Sequence, residues 1–277
     1  MSVGKRMRMK RVIDPDGVSI ICALDHGMTS PTFLEPLAGI EERTTEAVAG
    51  GANVIMMSKG MIRLAEPAFG RETSLALLLS ASANAGEDRP SVVHIAQVEE
   101  ALRLGADAVV LFVALSGESE PGMIRTLAEV GEACERVGMP FIAEAEFPTT
   151  YARVEDLADA YGFEYLRRNV RLCAELGADI VKTNWPGDGE SFGKLVEATS
   201  GIPVVLAGGS RVPDRELLER MEAAIAAGGI GCSVGRNIFM HDSPEALTRA
   251  LSRVIRERWP AEKAFVALQD ELGGTRA

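Results

Sequence analysis

Histidine is scarce in this chain. Its 277 residues include three, His26, His94 and His241. They are far apart in sequence and share no ligand-type spacing, which argues against a zinc or non-haem iron centre built on histidines. There are four cysteines, Cys22, Cys134, Cys173 and Cys232, and no Cys-x-x-Cys pair. They read as reduced core or strand residues of a cytoplasmic protein. The N-terminus lacks the apolar stretch of a signal peptide, and the longest apolar runs are too short to span a bilayer. Positive charge is also in deficit. The net charge of −11 argues against nucleic acid and anionic membrane as general partners. The one basic run, Lys5, Arg6, Arg8, Lys10 and Arg11, is short, and reads as a solvated arm (1–14) or an oligomer contact. No linker or low-complexity region divides the chain, so a single domain spanning 1–277 is expected.

The apolar residues, at 47% of the chain, are organised in short segments. Runs near 18–24, 53–58, 75–80, 107–113, 140–146, 179–184, 203–207 and 230–234 are bounded by Gly, Pro, Asp or Asn and read as buried strands. Helical spacing lies between most of them. Leu127, Val130, Cys134 and Val137 form one apolar face; Leu217, Leu218, Met221 and Ile225 form another; Leu157, Tyr161, Tyr165 and Leu172 sketch a third, less clean one. A weak repeat recurs at the helix-to-strand joints: Gly50-Gly51, Gly105-Ala106, Gly138-Met139, Gly177-Ala178, Gly201-Ile202 and Gly228-Gly229. Glycine after a helix supplies a left-handed cap. About eight strands with such joints fit an α/β protein built as a single (β/α)8 TIM barrel, whose usual size is ~250 residues. A doubly wound open sheet would be expected to carry a glycine-rich loop after an early strand. Here the first strand ends in Leu24-Asp25-His26-Gly27, and the glycine-rich ends come late. After Trp259-Pro260 a last helix is predicted, over about 261–272.

Chemistry in such a barrel collects at the C-terminal ends of the strands. In this chain those ends carry Asp25 and His26, then Lys59, then Glu144 and Glu146, then Lys182, then Gly208-Gly209-Ser210, and last Gly235-Arg236. The bland reading, that polar residues simply mark where loops begin, covers one or two of these but not the whole set. The two glycine-rich ends follow the last two strands, where barrels often bind phosphate, and Arg236 offers a bidentate partner for phosphate oxygens. Lys182 interrupts the apolar run Ile180-Val181. It either snorkels out at the strand end or is a desolvated amine of lowered pKa, nucleophilic toward carbonyls. Lys59, if it points inward, would depress that pKa further, and is also the rival nucleophile.

Side chains alternate along 140–147. Phe141, Ala143, Ala145 and Phe147 share one face; Ile142, Glu144 and Glu146 share the other. Burying two carboxylates against the outer helices would be costly, so Glu144 and Glu146 are expected to point inward. The same alternation puts Ile180, Lys182 and Asn184 on the inner face of the next strand. A carboxylate beside the lysine can move protons as a carbinolamine forms and loses water.

The motifs Asp25-His26-Gly27, Lys182-Thr183, Gly208-Gly209 and Gly235-Arg236-Asn237-Ile238-Phe239 resemble the DeoC/FbaB class I aldolase family, over roughly 15–258. That resemblance implies a lyase forming or cleaving a C–C bond between a ketose phosphate, such as dihydroxyacetone phosphate, and an aldehyde. It implies a Schiff base on Lys182, proton and hydroxyl handling by Asp25, and phosphate binding by Gly209, Ser210, Gly235 and Arg236. No cofactor and no metal are implied. Related barrels assemble as rings of five or ten, so a homo-oligomer is expected. Archaeal-type members carry Tyr-Pro-Arg-Gly where this chain has Glu146-Phe147-Pro148-Thr149-Thr150-Tyr151. Matching on the proline puts Phe147 in the tyrosine slot; counting along the strand puts Glu146 there; Tyr151 is a second candidate for the acid/base. The departure opens the choice of acceptor, from glyceraldehyde 3-phosphate to an aldehyde such as aspartate semialdehyde. Two further readings stand beside the aldolase: transaldolase- or thiolase-type transfer on the same lysine, and a sugar-phosphate-binding barrel without catalysis.

Overall fold

The computed structural model describes residues 1–83, 91–115, 117–148 and 154–274. Eight parallel strands close into a barrel: β1 (Ser19–Ala23), β2 (Val54–Met57), β3 (Ser74–Leu78), β6 (Ala108–Phe112), β7 (Phe141–Ala145), β8 (Ile180–Thr183), β9 (Val204–Ala207) and β10 (Gly231–Val234). Each lies within or beside one of the eight expected runs. β10 pairs with β1 through Ser19–Gly231 to Cys22–Val234 and closes the ring. The glycines at the six expected joints, Gly51, Gly105, Gly138, Gly177, Gly201 and Gly228, all have positive φ.

Strand alternation divides the core in two. Ile21, Ala23, Val54, Met56, Ala76, Leu78, Ala108, Val110, Ile142, Ile180 and Val205 fill the barrel interior. The intervening strand residues pack outward against the helices, among them Phe141, Ala143, Ala145 and Phe147. The helix Glu120–Val137 buries Met123, Leu127, Val130 and Cys134, and Asp214–Ala226 buries Leu217, Leu218, Met221 and Ala224. The third predicted face holds in part. In the helix Val154–Glu175, Leu157 is buried and Tyr165 and Leu172 pack against the core, but Tyr161 is exposed and the most deeply buried residues are Leu166, Val170 and Cys173. Gly162, at φ 74° and ψ 179°, breaks the helix there, so no single periodicity runs through it. The last helix spans Ala261–Gly274.

Two elements differ from expectation. The run 75–80 does not continue as one strand. Ser80–Ala83 (β4) turns away and pairs antiparallel with Ser91–His94 (β5), a hairpin standing at the mouth after β3. The basic N-terminal run is not a solvated arm. Val3–Val12 is a helix capped by Ser2, whose Oγ accepts from Lys5 N at 3.2 Å. It closes the bottom of the barrel: Val12 is fully buried against the interior cluster, with Met9 and Ile13 beside it. Lys5 is buried, with Nζ 2.8 Å from Asp179 and 3.0 Å from Glu135, and Arg11 Nε donates to Asp107 at 2.7 Å. Asn53 locks the plug to the strands, accepting from Ile20 N at 2.7 Å and donating to Val12 O at 3.0 Å. With the bottom sealed, the opposite end is left as the entrance. No helix among the described residues is long and apolar enough to cross a membrane.

Candidate active site

The parallel register of β7 and β8 sets Glu144 directly beside Lys182. Both point into the barrel above Ile142 and Ile180, as the alternation predicts. Lys182 Nζ lies 2.5 Å from Glu144 Oε1 and 2.9 Å from Glu146 Oε1. Glu144 and Lys182 are only 4% and 8% exposed, so the contact is shielded from bulk water. Asn184 continues the inner face of β8. Its Nδ2 donates to Glu146 Oε2 at 3.4 Å while its Oδ1 accepts from Phe147 N at 2.7 Å. Glu146 is thereby held above the lysine, one step nearer the mouth than Glu144.

Asp25 follows β1, with His26 Nδ1 at 3.4 Å from its Oδ1. The imidazole is wedged between Phe33 and Phe239, at centroid distances of 5.8 and 5.3 Å, so it cannot swing away from the aspartate. Gly235 makes that placement possible. A Cβ there would stand 2.6 Å from His26 Cε1 and 2.7 Å from Ala23 O. Arg236, Gly208, Gly209 and Gly235 continue this wall of the cavity. Asn237, missed in the sequence as a site residue, ties this wall together. Its Nδ2 donates to Gly208 O and Ser210 O, each at 3.2 Å, and its Oδ1 accepts from Val212 N at 2.9 Å.

A cavity of about 690 Å³, open to solvent, joins these groups: Asp25, His26, Glu144, Glu146, Lys182, Gly208, Gly209, Gly235 and Arg236 all line it. Two serines missed in the sequence line it as well. Ser233 lies two residues before Gly235, and its buried hydroxyl has no hydrogen-bond partner among the described residues. Ser80, at the start of the hairpin, accepts from Phe112 N at 3.0 Å. Period-two alternation through 230–234 would have put Ser233 on the inner face; the turn at Ser80 left no comparable signal. Ser210 lies just past the cavity wall. Lys59 is not brought in: its ammonium pairs with Glu100 at 3.2 Å, and its side chain is 42% exposed. Tyr151 lies outside the described residues. The remaining histidines are elsewhere, His94 on the hairpin and His241 against Asp214 at 3.2 Å. Among the described residues no three His, Cys, Asp or Glu side chains are grouped to hold a metal.

The charge balance departs from the expected depressed lysine. Burial does work against the Lys182 ammonium, but Glu144 and Glu146 outweigh it and raise its pKa above the ordinary lysine value. Lys59, turned outward, contributes no opposing cation. Burial, joined by the charges of Glu146 and Asp25, pushes the Glu144 carboxyl up to about 7 against the pull of Lys182. Burial also opposes charge on Asp25, but His26 and Lys182 prevail and hold its carboxyl below the usual range. The resting site is therefore a protonated lysine clamped between carboxylates. The four cysteines are free and buried, and none lines the cavity.

The chain is similar to known proteins along most of its length. The family profile described as DeoC/LacD family aldolase matches residues 19–241. A 2-amino-3,7-dideoxy-D-threo-hept-6-ulosonate synthase of Halobacterium salinarum is 35% identical over 262 residues, covering 95% of each chain. A 2-amino-4,5-dihydroxy-6-oxo-7-(phosphonooxy)heptanoate synthase of Streptomyces griseus is 34% identical over 259 residues, covering 91% of this chain and 90% of the relative. Among solved structures, an archaeal fructose 1,6-bisphosphate aldolase superposes with a TM-score of 0.79 at 25% identity, covering 91% of this chain and 99% of that one. With the profile running from the first barrel strand past the last and the relatives aligned nearly end to end, the chain belongs to the DeoC/LacD family of aldolases and is an enzyme of the lyase class.

Proposed function

We propose that this aldolase works through a Schiff base on Lys182 and joins, or releases, dihydroxyacetone phosphate and an aldehyde. The observation that carries the reading is the buried Lys182 amine at the cavity floor, facing a wall of glycine peptides and Arg236. A phosphate held by Arg236 and the N–H groups of Gly209 and Gly235 would present the ketone carbon to Nζ. Amine attack gives a carbinolamine, loss of water gives an iminium, and removal of a proton from the adjacent carbon gives the enamine that attacks the aldehyde. Asp25, ionised and oriented by His26, is suited to hold the donor's hydroxyl. Glu146, at the mouth side of Lys182, takes the acid/base role at the substrate oxygen.

The acceptor reading follows from charge. Glu144 and Glu146 crowd the lysine, and a second phosphate beside them would be repelled. An aldehyde bearing an amino group, such as aspartate semialdehyde, fits this surrounding better than glyceraldehyde 3-phosphate. A seven-carbon amino acid phosphate of the kind named for the Streptomyces relative is the aldol sum of dihydroxyacetone phosphate and aspartate semialdehyde. Two measurements test the proposal. Borohydride with dihydroxyacetone phosphate should leave a reduced adduct on Lys182 that is absent in Lys182→Met; turnover by Lys182→Met would sink the mechanism. A screen of aldehydes read by mass spectrometry should favour aspartate semialdehyde, and preference for glyceraldehyde 3-phosphate would overturn the acceptor reading.

A further inference from the structure

The two glutamates beside Lys182 are not equivalent. Glu144 stands opposite the lysine in the strand register and makes the closer contact, 2.5 Å against 2.9 Å for Glu146. Lys182 is the only hydrogen-bond partner of its carboxyl among the described residues. Glu146 is engaged on its other oxygen by Asn184 and sits nearer the mouth. A lysine clamped as an ammonium has no lone pair, so something within reach of the buried amine must take its proton. We infer that Glu144 is the internal base that unmasks the Lys182 amine and carries its protons to the carbinolamine oxygen, leaving Glu146 free to serve the hydroxyl formed from the aldehyde. This rests on the Schiff-base reading given above and adds a catalytic residue to it.

The proton count closes without an outside donor. The ammonium transfers one proton to Glu144, and the freed nitrogen lone pair attacks the carbonyl carbon. The C=O π pair moves to oxygen, which takes that proton back from Glu144. The nitrogen of the carbinolamine, now bearing two hydrogens and a positive charge, gives a second proton to Glu144. Glu144 passes it to the hydroxyl; the C–O bond breaks and water departs. Two of the three ammonium protons leave with the oxygen, one remains on the iminium nitrogen, and Glu144 ends as it began. A carboxyl whose burial pushes it up to about 7 is suited to both halves of this exchange near neutrality. An ordinary surface carboxylate would be far too weak a base to hold the proton between steps.

The groups facing Glu144 are few. Lys182 comes from β8, Glu146 from just past the end of β7, the strand that carries Glu144, and Asp25 from just past the end of β1. Phe112, its partner on β6, brings no charge, and His26 and Arg236 lie on the same cavity wall. Glu144 must be ionised to accept a proton, so the rate of adduct formation should rise with pH through the neutral range. The experiment is borohydride trapping with dihydroxyacetone phosphate from pH 5 to 9, in wild type, Glu144→Gln and Glu146→Gln. Glu144→Gln is expected to slow adduct formation at pH 7 by about 10²–10⁴. It should also lose the neutral limb and still be accelerating at pH 9, because Glu146 and Asp25 continue to hold the ammonium. Glu146→Gln should keep the limb. A merely structural Glu144 would instead lower the rate equally at every pH.

A Glu144→Gln enzyme that traps within threefold of wild type, with the same profile, overturns the inference and leaves the Schiff base standing. A wild type that traps nothing overturns the Schiff-base reading itself. Should Glu144→Gln fail to fold, Glu144→Asp decides: a slowed reaction with the neutral limb retained supports the inference, and loss of the limb overturns it.

Discussion

Lys182→Met makes the buried charge cluster report on stability. The methionine keeps the volume and removes the cation that sits 2.5 Å from Glu144 and 2.9 Å from Glu146. Breaking a buried pair by deleting one partner costs about 3–5 kcal/mol when the remaining charge cannot be relieved. Here relief is available, because a carboxyl already pushed up to about 7 with the lysine present will stand higher without it. The sign follows from linkage. A glutamate whose pKa is raised on folding binds more protons in the native than in the unfolded state between its two pKa values. Stability then falls as pH climbs from its ordinary 4.5 toward the folded value. In wild type the raised pKa of Lys182 works oppositely: its contribution is fully present below the ordinary 10.5 and is lost only as pH rises through the folded value. Glu144 should therefore make the wild-type protein lose some stability between pH 5 and about pH 7 and little beyond it. The variant should melt closest to wild type at pH 5, with Glu144 protonated in both, and go on losing stability above pH 7, where wild type has levelled off. Between pH 7 and pH 8 linkage adds up to ~1.4 kcal/mol to the deficit, a melting temperature lower by roughly 3–6 °C for a chain of this size. Thermal unfolding of both proteins at pH 5, pH 7 and pH 8 measures it. A deficit in the variant that is the same at pH 5 and pH 8 would refute the reasoning, since it would mean the glutamates are solvated and the lysine is held by packing alone.

Two other outcomes are expected at the cavity wall and mouth. Arg236→Ala removes a charge-assisted contact of ~1.5–3 kcal/mol and should raise KM for a phosphorylated donor about 10- to 150-fold, an unchanged KM removing Arg236 from the phosphate's surroundings. Glu146→Gln should cut kcat by about 10²–10⁴ with little change in donor KM; if Tyr151→Phe has that effect and Glu146→Gln does not, the acid/base role belongs to the tyrosine.

Much of the barrel was legible because its strands are buried on both faces. A run such as Asp-Ala-Val-Val-Leu-Phe-Val announces itself without knowledge of its neighbours, and left-handed glycines mark the joints. The inward placement of Glu144, Glu146 and Lys182 was legible for a related reason. Period-two alternation leaves a strand only two faces, and one of them was already filled by Phe141, Ala143, Ala145 and Phe147. What failed to show was whatever depends on partners distant in sequence. The N-terminal helix lacks an apolar stripe, and its burial comes from Lys5 meeting Asp179 and Glu135 and from Val12 entering the barrel. The β4–β5 hairpin opens on small residues, Ser80 and Ala81, whose low strand propensity and weak alternation conceal the turn away from the barrel.

The charge state of Lys182 illustrates the same limit within the site. Desolvation can be anticipated from an apolar strand, and taken alone it lowers a lysine pKa. Distance enters the opposing contribution directly, and at 2.5 and 2.9 Å two carboxylates overcome the cost of burial. The residues at the site were thus readable while its resting ionisation was not. That reversal changes what the enzyme must accomplish. An aldolase with a neutral lysine needs only to admit its substrate. This one must first move a proton off the amine, within a cluster of carboxyl groups. The step is cheapest where donor and acceptor are already in contact and the acceptor is a stronger base than an ordinary carboxylate. Burial makes Glu144 such a base, while Asp25, held below the usual range by His26 and Lys182, remains too weak a base to compete for the proton. The sealed barrel bottom contributes by keeping water from the lower side of the pair, so that exchange with solvent occurs only through the mouth the substrate itself must occupy.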